Sequence, residues 1–288
     1  MTDPDRSRVA LILGALVAPA MVQGCLVAHV LLNPPQPRFV VYYGLQDQPT
    51  LDEYDIAVLD SDVDSTIPAR LSLRSKTLGY LSLCEVHMAR RWATEIEQQG
   101  FLLSHNPKWR DARFIDVRDL RWKTRVLNEL IPSILAGGFT GLFLDTLDDA
   151  AYLESIDAIR FAGMVDAAVN LVLAIRERFP KIPIMVNRGY DLLPRIVAHI
   201  DMVLGESVHS TYDVISGNYV RVSPADIRWQ TDKLYEARRI KPSLGLFCLN
   251  YWAPGDVEGI ARIYAEARNH ELIPYVATFD LNQVVPSS

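Results

Sequence analysis

Two carboxylates, Asp145 and Asp148, close the stretch Gly137-Gly-Phe-Thr-Gly-Leu-Phe-Leu-Asp-Thr-Leu-Asp148, directly after the apolar run Leu142 to Leu144. A second apolar run, Met202 to Gly205, stops on Glu206. Other runs end on Tyr43-Gly44, Asp60-Ser-Asp62, Glu85, Asn187-Arg-Gly189, Asn250-Tyr-Trp252 and Asp280. Helix capping accounts for an Asp or Asn at one or two such places, but Glu is a poor cap. Acids, amides and aromatics recurring at strand ends suit sugar chemistry. One carboxyl protonates the leaving oxygen of a glycosidic bond and a second attacks or stabilises the sugar cation. Aromatic rings cover apolar sugar faces, and amides and acids bind hydroxyls. Glu206, on the longer side chain and beside Val203 and Leu204, is the better acid, because a carboxyl needs some desolvation to hold a proton near neutrality.

These groups need a frame that brings many strand ends to one place. Short apolar or β-branched runs at Phe39–Tyr43, Ile56–Asp60, Thr77–Cys84, Gly141–Asp145, Ile182–Asn187, Met202–Glu206, Ser243–Asn250 and Ile273–Thr278 read as eight buried parallel strands. Amphipathic segments lie between them. In Ile156 to Phe179, residues Ile159, Phe161, Met164, Val165, Ala168, Val172 and Ile175 recur near the helical period. Pro224 with Asp226, and Pro254-Gly-Asp256, open two further helices. Phe114-Ile-Asp-Val117 reads as a ninth strand or an edge within the long connection before the central strand. Eight such units in about 250 residues predict an α/β fold, a single (β/α)8 barrel whose active face is the C-terminal end of the strands. No Gly-x-Gly-x-x-Gly loop follows the first strand, which disfavours the open doubly wound sheet. With Asp145 on the fourth strand and Glu206 on the sixth, their Cα atoms fall about 10 Å apart at ~4.8 Å per strand, close enough for inward side chains to approach ~5.5 Å.

A net charge of -6 among 288 residues gives no basic face for nucleic acid. Three cysteines are too few for a disulfide framework, and Cys84 and Cys248 sit in apolar runs as small hydrophobes. No Cys or His pair has zinc spacing, and Glu206-Ser-Val-His209 ends a strand where a carboxylate metal motif needs a helix. No metal and no cofactor is therefore expected, and a monomer is. Residues 1 to 37 read as a signal peptide, a lipoprotein signal ending at Cys25 or a membrane anchor, followed by the Pro-rich Asn33-Pro-Pro-Gln-Pro37. They predict export, secreted or held at the envelope by a membrane tether. The barrel spans 38 to 288, with Ser207 to Ser223, carrying Tyr212 and Tyr219, as a lid or sugar-stacking loop and His209 bonded inside it.

Val41-Tyr-Tyr-Gly44, Gly79-Tyr-Leu-Ser-Leu-Cys-Glu85, Phe114-Ile-Asp-Val117, Gly138-Phe-Thr-Gly-Leu-Phe-Leu-Asp-Thr-Leu-Asp148 and Gly205-Glu-Ser207 together resemble glycoside hydrolase family 114, the endo-α-1,4-polygalactosaminidase-like barrels. The resemblance covers nearly all of residues 38 to 280. It implies a retaining hydrolase of galactosamine-containing or N-acetylgalactosamine-containing polysaccharide. Its catalytic pair, an Asp after the fourth strand and a Glu after the sixth, falls on Asp145 or Asp148 and on Glu206; Asp145 is preferred because it ends the strand directly. Tyr43, Asp60, Glu85, Asn187, Arg188, Tyr212, Asn250, Trp252 and Asp280 are the expected substrate contacts. The pattern departs from the family at Cys84, commonly Gly, and at Arg188, inserted where Asn-Gly is usual; Arg188 would exclude a cationic sugar or pair with Asp148. The alternative from another class is a tethered, non-catalytic carbohydrate-binding barrel.

Overall fold

The computed structural model describes residues 36–286, so the export segment expected before them lies outside the described residues. Eight strands form one parallel sheet in sequential order: β1 (Phe39–Tyr42), β2 (Ile56–Leu59), β3 (Lys76–Ser82), β4 (Gly141–Asp145), β5 (Ile184–Asn187), β6 (Met202–Glu206), β7 (Gly245–Tyr251) and β8 (Ile273–Ala277). β1 and β8 lie side by side, so the sheet curls into a nearly closed α/β barrel. Each strand begins within a few residues of its expected start. The reason is simple: a strand buried on both faces must be apolar without interruption, and that pattern is legible directly. All four residues of β1 and of β2 are buried, as are the first four of β4. Gly141 permits β4 to pass Pro183, since a Cβ there would meet the Pro183 carbonyl oxygen at 2.3 Å. Cys84 and Cys248 are buried and free.

The connections are less regular than eight equal units. After β1 there is only a 3-10 turn, Pro49–Glu53, and among the described residues no helix follows β8. The helix expected over Ile156 to Phe179 is broken: Asp148–Ile156 and Met164–Arg178 are separate helices. Asp157 accepts the N–H groups of Ile159 and Arg160, and Gly163 turns through φ 84° to start the second helix. Ile159, counted on the apolar face, is 93% exposed. The long connection after β3 carries its own antiparallel sheet, in which Ala112–Ile115 pairs with Glu85–His87 and with Leu102–His105. The Phe114 run is thus the centre of a side sheet. After β6 the expected loop is a hairpin, Ser210–Asp213 against Asn218–Arg221. Among the described residues no helix is long and apolar enough to cross a membrane.

Candidate active site

Three strands, β4, β5 and β6, end on Asp145, Asn187 and Glu206, and each of these is followed by a residue with left-handed backbone: Thr146 at φ 65°, Arg188 at φ 49° and Ser207 at φ 56°. Non-glycine residues there cost roughly 1–2 kcal/mol each. The repeated kink ends the strands sharply at the barrel mouth. Thr146 is pinned by its hydroxyl, which contacts Ser82 Oγ at 2.8 Å and accepts the Cys84 N–H at 3.0 Å.

The Asn187 amide donates to Asp145 Oδ1 at 3.0 Å and to Glu206 Oε2 at 2.7 Å. Its two N–H groups therefore cap the nearest separation of the acids at about 5.7 Å. Donation to both acids also fixes the orientation of the amide. Its carbonyl oxygen is buried without a partner. Glu206 Oε1 accepts the Tyr251 hydroxyl at 2.6 Å, and Asp145 Oδ1 also accepts the Thr146 N–H at 2.8 Å. Tyr80 lies against Asp145, and Tyr43 packs edge-on to Tyr80 at 5.2 Å. Burial, reinforced by the charge of Asp145, pushes the Tyr43 and Tyr80 phenols well above the ordinary range; burial and Glu206 do the same to Tyr251. All three are neutral donors.

Burial, and then the charge of Glu206, raise the Asp145 carboxyl from 3.8 to about 7. Sequence reasoning placed the decisive desolvation at Glu206. The structure encloses Asp145 among tyrosines, while Glu206 has both oxygens hydrogen-bonded. Asp145 therefore keeps its proton until close to neutrality.

A second acidic group stands beside the first. Asp149, absent from the expected set, is raised to about 9, first by burial and then by Glu85, with which it hydrogen-bonds. Glu85 is itself raised by burial and accepts the Asn106 amide. Asp148 starts the helix, and both it and Asp149 are half-buried. Between the unfolded value of 3.8 and about 9, folded Asp149 keeps a proton that the unfolded chain has lost, so its contribution to stability falls as pH rises through that window. Asp149→Asn is expected to raise Tm by a few degrees at pH 8 and to leave it nearly unchanged at pH 4, as read by thermal melts at the two pH values.

Of the other expected contacts, Tyr43 and Glu85 lie near the pair, and Tyr212 reaches the rim by stacking on Phe279 at 4.7 Å. Asn250 is a correction: it is 0% exposed and its carbonyl accepts the backbone N–H groups of His209 and Ser210. Strand alternation explains the error, since Asn250 faces the hairpin base and its neighbour Tyr251 faces the acids. Asp60 is engaged by Arg90 at 2.7 and 2.8 Å, and Arg90 also holds Asp62 at 2.7 Å. Trp252 donates to Asp256 at 2.9 Å, and Asp256 caps the next helix by accepting the Gly259 N–H. Asp280 is exposed on the loop after β8. Arg188 makes no ion pair with Asp148; its guanidinium lies 5.9 Å from the Tyr190 ring centre. His209 leaves its own loop to meet His270, Nε2 to Nδ1 at 2.9 Å. Among the described residues no group of three or more His, Cys, Asp and Glu is arranged to hold a metal ion.

The fold is shared with the glycoside hydrolase domain of PelA from Pseudomonas aeruginosa, at TM-score 0.76 and 24% identity over 88% of this chain and 99% of that one. It is also shared with Ega3 of Aspergillus fumigatus, solved in complex with galactosamine, at TM-score 0.64 and 15% identity over 88% of this chain and 95% of that one. An uncharacterized protein of Thermotoga maritima is 25% identical over 201 residues, which is 66% of this chain and 59% of that relative, so the match spans less than two thirds of its length. The model of glycoside-hydrolase family GH114 matches residues 28–288. The chain therefore belongs to glycoside hydrolase family 114 and is a glycoside hydrolase.

Proposed function

We propose that the protein is a retaining endo-glycosidase of α-1,4-linked polysaccharide containing galactosamine or N-acetylgalactosamine, with Asp145 as nucleophile and Glu206 as general acid and base. The observation that carries this reading is the single Asn187 amide spanning both acids. The upper limit it sets lies close to the ~5–5.5 Å between the acids of retaining enzymes and below the ~6.5–9.5 Å of inverting ones.

The steps follow from that arrangement. Positive charge developing at the anomeric carbon favours anionic Asp145 and moves its proton to Glu206. Asp145 bonds to the anomeric carbon as Glu206 gives its proton to the departing glycosidic oxygen. Glu206 then takes a proton from water, whose oxygen displaces Asp145 and frees the sugar. Asp148 is the less suitable nucleophile, since it begins a helix and makes no contact with the Asn187 amide. The unpartnered Asn187 carbonyl suits a sugar hydroxyl or ammonium as donor. Asp145, Glu206, Glu85, Asp148 and Asp149 gather carboxyl acceptors at the site, which suit the hydroxyl and ammonium donors of an amino sugar, and Ega3 was solved with galactosamine. Arg188 lies against Tyr190. Export rests on the apolar sequence Val9 to Leu32 alone.

Reducing-end release from galactosamine-rich and N-acetylgalactosamine-rich polymers tests the substrate class, and products of several lengths are expected at early times. No release from either polymer would refute it. Because Asp145 titrates at about 7, kcat/KM should fall above that pH as Asp145 loses the proton it passes to Glu206. A profile flat from pH 5 to 9 would contradict this proton transfer.

A further inference from the structure

Trp109 is 55% exposed, an unusual state for so large a side chain in an ordered loop. One face of the indole is partly covered: it stacks, offset, on Phe279 with ring centres 5.9 Å apart and planes 15° apart. Phe279 in turn meets Tyr251 edge-on at 5.8 Å, and the Tyr251 hydroxyl donates to Glu206 at 2.6 Å. An unbroken aromatic line thus runs from the acid at the centre of the barrel mouth out to Trp109 on the rim.

The loop that carries Trp109 is built to hold it. Asn106 N–H donates to the Ala112 carbonyl and Ala112 N–H to the Trp109 carbonyl, both at 2.9 Å. The buried Asn106 side chain accepts the Lys108 N–H at 2.9 Å and donates to Glu85, which shares a hydrogen bond with Asp149. Rim and acidic floor are tied through one amide. Phe279 is held from the other side by Tyr212 of the hairpin after β6, at 4.7 Å and 24°. The loops after β3, β6 and β8 therefore converge to present one free indole face to solvent, beside the cleft.

We propose that this free face of Trp109 is a sugar-stacking platform, a subsite for a pyranose ring some units removed from the bond that is cut. The proposal rests on the polysaccharide reading above and adds to it a residue that binds the chain without touching the reacting atoms. The C–H face of a pyranose covers the indole and displaces water from it, and a cationic amino substituent near the ring edge adds cation–π attraction. Such a platform acts only on a chain long enough to reach from the acids to the rim.

The test compares Trp109→Ala and Trp109→Phe with wild type on a galactosamine polymer and on a galactosamine disaccharide glycoside too short to span that distance. Trp109→Ala should raise KM for the polymer about tenfold, leave kcat within twofold and leave both constants for the short substrate unchanged, with Trp109→Phe recovering most of the polymer KM. Retardation of the Glu206→Gln protein in a gel containing the polymer should also be reduced when Trp109→Ala is added. Unchanged polymer KM and gel mobility in Trp109→Ala would overturn the platform, and so would an equal loss on both substrates. These readouts are separate from the catalytic assignment, which stands or falls on turnover by the Asp145 and Glu206 variants.

Discussion

Glu206→Gln and Asp145→Asn are each expected to lower kcat on the polymer by at least about a thousandfold while KM changes little. Gln keeps the shape of Glu206 and can still contact Tyr251 and Asn187, but it has no proton to give the leaving oxygen. Asn at 145 keeps the contact with the Thr146 N–H and cannot form the glycosyl ester. The two losses differ in a way that assigns the roles. A substrate with an activated leaving group needs no general acid for the first step, and azide needs no general base for the second. Such a substrate with added azide should restore turnover to a Glu206→Ala enzyme and yield a glycosyl azide of retained configuration. The same addition to Asp145→Ala should give the azide of inverted configuration. Rescue with the opposite stereochemistry would exchange the two roles, and full activity in either amide variant would remove that residue from the mechanism. Asp148→Asn is the control, expected to cost far less than Asp145→Asn.

Asn187→Leu carries the second large effect. Leu shares the γ-branched shape of Asn, though it is larger, and its neighbours on β5 are fully buried apolar residues, so the barrel should remain folded. What disappears is the donor that contacts both acids. Each hydrogen bond to a charged group contributes roughly 1.5–3 kcal/mol, so kcat should fall on the order of a hundredfold. The pH profile supplies the signature. Asn187 lowers the Asp145 carboxyl against the upward push of burial and Glu206. Its removal should therefore carry the basic limb of kcat/KM above 7. A damaged barrel would lose activity at every pH without moving the limb. An unchanged limb together with wild-type kcat would show that the amide has no hold on the pair.

Left-handed residues after Asp145, Asn187 and Glu206 show how the fold is spent on this arrangement. Each kink is a local strain that a parallel strand would not adopt for its own stability. Repeated on three adjacent strands, it brings two acids and one amide to a common point. The buried, unpartnered Asn187 carbonyl and the proton-holding Asp145 and Asp149 carboxyls are further departures from the most stable packing. All lie at the barrel mouth, and a substrate offering hydroxyl and ammonium donors would satisfy several of them together.

Much of this was written in the order of residues. Doubly buried parallel strands must be continuously apolar, so the runs at Phe39, Ile56, Gly141 and Met202 identify themselves, and the polar residue that stops each run marks the barrel mouth. Asp145, Asn187 and Glu206 could be named on that ground. Facing was not legible where a run ends on several polar residues. Asn250 and Tyr251 are adjacent in sequence, and only the register of β7 beside β6 turns the tyrosine to Glu206 and the amide to the hairpin. Desolvation was equally hidden, because it depends on what closes over a carboxyl: Tyr43 just after β1, Tyr80 on β3 and Tyr251 on β7 gather around the pair, and Asp149, the unremarked neighbour of Asp148, packs against Glu85. Trp109 lies in the polar turn between two strands of the side sheet, far from any barrel strand end, with nothing local to distinguish it. Its place beside Phe279 comes from loops after β3 and β8 meeting across the mouth, a contact between residues 170 positions apart that only the closed barrel makes.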